Sequence, residues 1–281
     1  MTAVLLATAS ALVYGTADFF GGIATRRSRV LAVVALSQLA GLVLVVAALP
    51  LLPGALTVRA VAWGMAAGIA GAAALVLFYR ALATGVMSVV APVTAATSAA
   101  LPVLFGLAAG ERPEPMALGG IALALAAVVM VSRDSSAPAA TGGRGYGPVL
   151  AALAAGAGFG CFFVLLAQSP GDSGMWPLAG ARVASVTLIA LLAVATRRTL
   201  RPGNGRALPI IITAGALDMA ANILFVLAEQ RGMIALVGVL ASLYPASTLV
   251  LARYVLGERL NAVQTAGIGV TLAAVALIAA A

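Results

Sequence analysis

The amino-acid sequence predicts an all-α integral membrane protein with ten transmembrane helices. Of the 281 residues, 63% are hydrophobic and only 9% are charged, and mean hydropathy is +1.14. An ordinary soluble domain is about 45–50% apolar and about 25% charged. A single soluble core of this size could not hide so much apolar surface from water, so lipid has to be the solvent.

Ten apolar runs follow one another along the chain. A hydrocarbon layer of about 30 Å is crossed by roughly 20 helical residues, and backbone groups in lipid must bond internally, so each run should be a helix. The first run lacks a basic n-region and contains Asp18, which favours a retained span over a cleaved signal peptide. The predicted spans are Thr2–Gly22, Val30–Leu49, Ala60–Ala81, Met87–Ala109, Pro115–Val131, Pro148–Gln168, Pro177–Ala195, Pro209–Ala228, Met233–Leu256 and Ala262–Ala280.

An internal repeat divides the chain near its midpoint. Residues 133–147 are polar and rich in Ser, Pro and Gly, as flexible linkers are. A shift of 147 residues lays Gly110-Glu111-Arg112 on Gly257-Glu258-Arg259, at the same place relative to two predicted spans. Ala-rich stretches match by chance, but a shared polar tripeptide does so less readily. We therefore predict two related five-helix halves, residues 1–132 and 148–281, joined by the linker 133–147.

An odd number of spans in each half inverts the second half relative to the first. Inverted repeats are typical of alternating-access transporters, whose ligand site lies near the midplane between the repeats. The sequence thus predicts a secondary transporter that moves a small organic solute across the plasma (inner) membrane, with export favoured. A solute channel, an uptake carrier and, less favoured, an intramembrane enzyme are the alternatives.

Several classes of chemistry are excluded or restricted by composition. The chain has no His and a single Cys, Cys161, so zinc and haem sites, His bases and Ser-His or Cys-His nucleophile pairs are disfavoured. We predict no catalytic residue, no metal and no cofactor. The net charge of +8 comes from Arg clusters between apolar runs, without the aromatic-interleaved face of a nucleic-acid-binding protein. The predicted partners are the lipid bilayer and a small-molecule substrate, with a monomer or a homodimer left open.

The arginine distribution predicts an orientation. Loops that follow the odd-numbered spans hold twelve Arg and the opposite loops hold three, a positive-inside bias that places both termini outside. The twelve are Arg26, Arg27, Arg29, Arg80, Arg133, Arg144, Arg197, Arg198, Arg201, Arg206, Arg253 and Arg259, and the three are Arg59, Arg112 and Arg231.

Three segments resemble the EamA-type transporters of the drug/metabolite transporter superfamily. Residues 14–22 (YGTADFFGG) are similar to that family's opening motif, although Tyr14 stands where Trp is common. Residues 240–245 with 256–260 are similar to its ninth-span signature, and Gly110-Glu111-Arg112 to the fourth-span twin. The resemblance implies an inverted five-plus-five arrangement, with spans five and ten peripheral to a central cavity. The resemblance does not identify the substrate. Better-known members usually keep their termini in the cytoplasm, whereas the charge distribution of this chain places both termini outside.

Three charged residues, Asp18, Arg182 and Asp218, fall clearly inside predicted spans, where a charge costs at least about 2.5–3.5 kcal/mol. Asp218 lies near the middle of span eight, and Asn222, Phe225 and Glu229 continue its helical stripe. We predict that Asp18, Arg182, Asp218 and Asn222 line a substrate site. Asp218 could bind a substrate amine, and Asp218 or Asp18 could take up a proton for coupling. Arg182 could pair with Asp218 or hold a carboxylate. The alternative is a satisfied ion pair or a snorkelling side chain.

A second group of residues lies mainly in spans four and nine. Thr94 and Ser98 share a helix face, and Tyr244 and Tyr79 are aromatic candidates for the same substrate site. Prolines in membrane helices free carbonyl groups and permit hinging, so the predicted hinges are Pro92, Pro102 and Pro245. Packing around a tolerated kink is the alternative, and an interface role is the alternative for Tyr79. Glu111 and Glu258 end spans and fit capping better than ligand binding.

Overall fold

A computed structural model of the chain describes residues 1–25, 28–84, 87–131, 147–197, 199–201, 207–257 and 260–281. Within these ranges the side chains of residues 79–84, 87–92, 131, 147–149, 249, 252 and 256 are outside the description. The described part holds eleven helices and no strand. They are α1 (Thr2–Thr25), α2 (Val30–Ala48), α3 (Val58–Thr84), α4 (Met87–Ala108), α5 (Pro115–Val131), α6 (Gly147–Ala167), α7 (Trp176–Ala195), α8 (Ala207–Glu229), α9 (Ile234–Ala241), α10 (Tyr244–Leu256) and α11 (Ala262–Ala280).

These helices follow the predicted spans closely, with boundaries that differ by at most three residues outside the ninth. Among the described residues, eight stretches are long and apolar enough to cross a membrane by length and composition. One of them, Ile234–Val255, runs through α9 and α10, and two shorter apolar helices, Val93–Ala108 and Pro115–Met130, stand where spans four and five were predicted. The all-α membrane class is confirmed; the ten-helix inverted repeat stays a prediction.

The predicted ninth span is two helices, separated by Ser242 and Leu243. Pro245 has no N–H to donate to the carbonyl of Ala241, four residues earlier, and its ring crowds that carbonyl. The hydroxyl of Ser242 instead donates to the carbonyl of Gly238 at 2.7 Å, which closes the end of α9. The break therefore lies where proline chemistry places it, and it gives α9 and α10 separate axes.

Close helix packing depends on glycine at several crossings. A Cβ added to Gly64 would collide with the carbonyl of Pro177, and one added to Gly68 with that of Ala181, so α3 lies directly against α7. A Cβ on Gly215 of α8 would likewise collide with the backbone of Ser37 in α2. Small residues allow this approach between membrane helices, where packing and not hydrophobic burial drives association. Gly64 and Gly68 therefore allow the close crossing of α3 with α7.

The helix pairs with the most extensive contacts mix the two halves of the chain. Helix α1 packs on α8 and α3 on α6, two pairs that exchange when the halves are exchanged, and α5 packs mainly on α11. Gly110 and Gly257, which the 147-residue shift superimposes, both have positive φ, +95° and +69°. Left-handed glycines commonly end helices. The two helix ends therefore make the same kind of turn, as related halves would.

Large apolar side chains are exposed on the outside of the bundle. Leu39 and Val43 on α2, Leu104 on α4, and Leu191 and Val194 on α7 are between 47% and 77% exposed. On a soluble protein such a surface would be an aggregation hazard, but it is the surface that lipid requires. Inside, Arg182 is the one charged side chain in the buried class among the described residues. The buried side chain of Arg182 therefore identifies the polar interior of the bundle.

Candidate functional site

Arg182 of α7 lies at the centre of a polar cluster between α2, α7 and α8. Its side chain is 9% exposed, and its Nη2 forms an ion pair with Oδ2 of Asp218 on α8. Its Nη1 donates to Oε1 of Gln38 on α2. A buried guanidinium is tolerated only when its charge and its N–H donors are satisfied. The pairing of Arg182 with Asp218 is one of the two arrangements that the sequence left open for Arg182.

Of the two side chains in this ion pair, that of Asp218 is the more exposed. Its side chain is 39% exposed, against 9% for Arg182, so water reaches the carboxylate more readily than the guanidinium. One turn further along α8, Nδ2 of Asn222 donates to the backbone carbonyl of Asp218 at 2.8 Å. The two residues predicted to share a stripe of α8 are therefore adjacent in the site.

Asn222 keeps an acceptor without a partner. The residue is 2% exposed, and no described group donates to its Oδ1. Because a carbonyl can only accept, the bond to the carbonyl of Asp218 identifies which amide atom is Nδ2 and fixes the direction of Oδ1. An unsatisfied buried acceptor costs about 1–3 kcal/mol, so it is usually filled by water or a ligand.

A small cavity adjoins the cluster. It measures about 30 Å³, and its walls include Gln38, Phe162, Arg182, Ser185 and Asn222. The hydroxyl of Ser185 lies 3.4 Å from Oε1 of Gln38 and 3.1 Å from the backbone carbonyl of Arg182. A space of this size with polar walls holds a water molecule and not an organic solute. The cluster is therefore in a closed state around its ion pair.

Helix α1 presents Tyr14 and Asp18 towards the same interior. The ring of Tyr14 lies 6.2 Å from that of Phe163 and 6.5 Å from that of Tyr244, measured between centroids. The Oη of Tyr14 is buried and has no described partner. Asp18 follows one turn later on the same face, its charge interacts with that of Asp218, and its side chain is exposed. Tyr14 and Asp18 thus share the face of α1 that lies nearest to Asp218.

A second cavity, of about 290 Å³, lies where α6 and α8 end and α7 begins. Its walls include Ser169, Pro177, Val226, Glu229 and Gln230. Glu229 ends the stripe of α8 that carries Asp218 and Asn222. The fully buried ring of Phe225 lies between Asn222 and Glu229 along that stripe. This larger cavity is the size of a small-molecule site, and it carries a carboxylate.

Thr94 and Ser98 lie in the interface between α4 and α6. The hydroxyl of Thr94 donates to the carbonyl of Ala152 at 3.2 Å, and a Cβ on Gly160 would lie 3.1 Å from the carbonyl of Ser98. No described hydrogen bond joins Thr94 or Ser98 to the polar cluster. Their role in substrate binding stays a prediction.

The predicted hinges and the remaining aromatic residue are placed in part. The ring of Pro102 fills the space left by Gly238 of α9, so a proline of one half packs on a glycine of the other. Pro245 follows the break between α9 and α10. The side chains of Tyr79 and Pro92 lie outside the described part of the chain.

The carboxylate of Glu111 caps α9. Its two oxygens accept the N–H groups of Ile234, at 2.8 Å, and Ala235, at 3.0 Å. These are the first two residues of α9, whose N–H groups have no partner within the helix. The capping role predicted for Glu111 is confirmed, although the helix it caps belongs to the other half of the chain. Glu258 lies outside the described residues.

Sequence reasoning missed Gln38 and Ser185, and it treated Tyr14 as a motif residue only. It searched for charges within spans, and Gln38 carries none. The available signal was the pair Ser37-Gln38, two polar residues in the middle of the otherwise apolar second span. A long amide there needs partners for the same reason that a charge does.

The second half of the chain matches a known family. Residues 147–280 match the sequence model of the EamA-like transporter family. This part of the chain is therefore similar to EamA-like transporters. The matched range coincides to within one residue at each end with the second predicted half, 148–281. The resemblance to EamA-type transporters is confirmed over residues 147–280, and the chain is a multi-pass membrane protein.

Solved structures share the fold of the chain. One, titled only "Crystal structure of protein", aligns with a TM-score of 0.78 at 20% sequence identity, over 99% of this chain and 98% of that chain. At this identity the likeness shows the fold alone. No curated protein matches the chain. The family that residues 147–280 match is one of transporters.

Proposed function

We propose that this protein is a secondary transporter that moves a small organic solute across the plasma membrane by alternating access, with export favoured. One observation carries the proposal: a polar cluster in the apolar bundle is built from both halves. Gln38 comes from the first half, and Arg182 and Asp218 come from the second. Membrane proteins keep buried charges where a substrate or an ion passes, and inverted-repeat transporters place that site between their halves.

The ion pair supplies an element with two states. While Arg182 and Asp218 are paired, the adjoining space is about 30 Å³ and closed to solutes. A proton on Asp218, or a cationic solute beside it, would weaken the pair, and Arg182 would then depend on Gln38 alone. The break before Pro245 and the glycine crossings give the helices places to move. Proton coupling through Asp218 or Asp18 follows as a hypothesis.

Two further features support the inverted repeat and the orientation. The helix pairs α1–α8 and α3–α6 exchange under exchange of the halves, and the glycines at 110 and 257 share a left-handed turn. The excess of arginine after the odd-numbered spans supports a cytoplasmic location for those loops, with both termini outside.

The experiment compares solutes retained and released by cells that express the wild-type chain, Asp218→Asn or Asp172→Asn. Asp172 is exposed in the connection before α7 and serves as the matched control, since it loses the same charge outside the cluster. We expect wild type and Asp172→Asn to redistribute the same solutes and Asp218→Asn to redistribute none while it accumulates in the membrane. Full activity of Asp218→Asn would remove the ion pair from the mechanism.

Counterflow in proteoliposomes then separates a carrier from a channel. A carrier loaded with unlabelled solute accumulates labelled solute transiently, because both move through one alternating site. A channel passes solute without saturation and without exchange. Flux of that second kind would contradict alternating access.

A further inference from the structure

The acidic groups of the site outnumber its basic groups. Within the described part of the chain, Arg182 is the cation of the cluster, and Asp218 and Gln38 already engage it. Asp18 has no described hydrogen bond or ion pair, although its charge acts on Asp218. The interior therefore holds two interacting carboxylates and one guanidinium, which is paired with Asp218, and it carries an excess negative charge that an occupant has to balance.

The hydrogen-bonding groups of the site show a corresponding excess of unsatisfied acceptors. Asn222 Oδ1 can only accept, is nine-tenths buried or more, and has no described donor. Asn222 also lines the cavity beside the ion pair. With the carboxylate of Asp18, the unsatisfied acceptors of the site outnumber its one described unpartnered donor, the hydroxyl of Tyr14, so a matching occupant brings N–H groups.

The surroundings fit an organic cation. The ring of Tyr14, on the face of α1 that carries Asp18, lies beside the ring of Tyr244 of α10. Aromatic faces attract cations. The 290 Å³ cavity is bounded by Glu229, on the stripe of α8 that leads to Asn222. An anionic solute would be repelled by Asp18, Asp218 and Glu229. The one described cation of the cluster, Arg182, is already paired with Asp218.

We propose that the solute of this transporter is a protonated primary or secondary amine, with its ammonium group beside Asp18 and Asn222 Oδ1 as a further acceptor. The inference rests on the proposed function and narrows its substrate class. It distinguishes N–H-bearing cations from quaternary ammonium compounds, which bring charge but no donor. The latter would leave Asn222 Oδ1 unsatisfied.

The test measures binding to the full-length protein in lipid nanodiscs by calorimetry, with four pools of probes. The pools share ethyl, butyl and phenethyl skeletons and carry a primary amine, a trimethylammonium, an alcohol or a carboxylate. We expect the amine pool to bind at least about tenfold more tightly than each other pool, since a charge-assisted hydrogen bond is lost in each replacement.

Asp18→Asn provides the variant and Asp172→Asn the matched control. Asp18→Asn should weaken amine binding at least about tenfold, and Asp172→Asn should leave it unchanged. If Asp18→Asn does not fold, the comparison between amines and alcohols on the wild-type protein decides alone. Equal binding of amines and alcohols, tighter binding of the carboxylates, or unchanged amine binding by folded Asp18→Asn would overturn the inference.

Failure of this inference differs from failure of the proposed function. Saturable counterflow of a neutral or anionic solute, unaffected by Asp18→Asn, would end the amine assignment and leave the transporter standing. Absence of counterflow for every solute that the cells redistribute would end both.

Discussion

Removing either charge of the ion pair should destabilise the protein, but by unequal amounts. Asp218→Asn leaves the guanidinium of Arg182 without its counter-charge, and that side chain is 9% exposed. Arg182→Gln leaves the carboxylate of Asp218, whose side chain is 39% exposed and partly solvated. The charge left behind is therefore poorly solvated in one variant and largely solvated in the other.

The exposures set the magnitudes. Removing one partner of a buried ion pair costs about 3–5 kcal/mol. For Asp218→Asn we expect about 2–3 kcal/mol, because the new amide oxygen can still accept from Arg182, which also keeps its bond to Gln38. For Arg182→Gln we expect about 1 kcal/mol, after discounting for the water that reaches Asp218.

The assay is reversible unfolding in mixed micelles, with the free energy of unfolding read for wild type, both single variants and the double variant. The double variant holds no charge at either position, so it should be about 1–2 kcal/mol more stable than the sum of the single effects predicts. Equal destabilisation by the two single variants, or strict additivity in the double variant, would refute the reasoning from burial.

Three other predictions follow from single contacts. Glu111→Gln should destabilise the protein by about 1–2 kcal/mol, because one of the two charge-assisted bonds to the first N–H groups of α9 becomes neutral and the other is lost, since the amide nitrogen of Gln cannot accept. The exposed control Glu114→Gln should change unfolding by less than about 0.5 kcal/mol, and equal effects would contradict the cap. Gly68→Ala should cost about 1–3 kcal/mol through collision with α7, whereas Gly269→Ala, which meets nothing within 4 Å, should stabilise its helix by about 0.5–1 kcal/mol in the same assay; a stabilising Gly68→Ala would contradict the close crossing. A cytoplasm-dependent reporter fused to the C-terminus should be silent, and an active fusion would refute the orientation drawn from the arginines.

Much of the fold was predictable because lipid imposes one requirement on every span. The helix boundaries follow from apolar length, and Pro115 and Asn261 mark where α5 and α11 begin. The break in the ninth span follows from Pro245, which cannot donate to the preceding turn. These are local effects, carried by neighbouring residues in the chain.

The site was predictable only where residues carry a full charge. Arg182 and Asp218 stood out because an unpaired charge in lipid is costly, and Asn222 followed from its place one turn after Asp218. Gln38 could not be paired with Arg182 from sequence, since 144 residues separate them and the crossing of α2 with α7 brings them together. The same is true of Glu111, whose bonds run to the start of α9 and not to its own helix.

Thiol accessibility tests the central claim, a polar pocket between the two halves within a membrane bundle, most directly. The single native cysteine can be removed by Cys161→Ala, and Ser185→Cys then places a thiol in the wall of the polar cavity. Leu39→Cys, on the exposed apolar face of α2, is the matched control. The cavity is too small for a maleimide in this conformation, so in sealed vesicles a membrane-impermeant maleimide should label Ser185→Cys as the helices open during alternating access. It should leave Leu39→Cys unlabelled. Labelling of Leu39→Cys with none at Ser185→Cys would contradict the account.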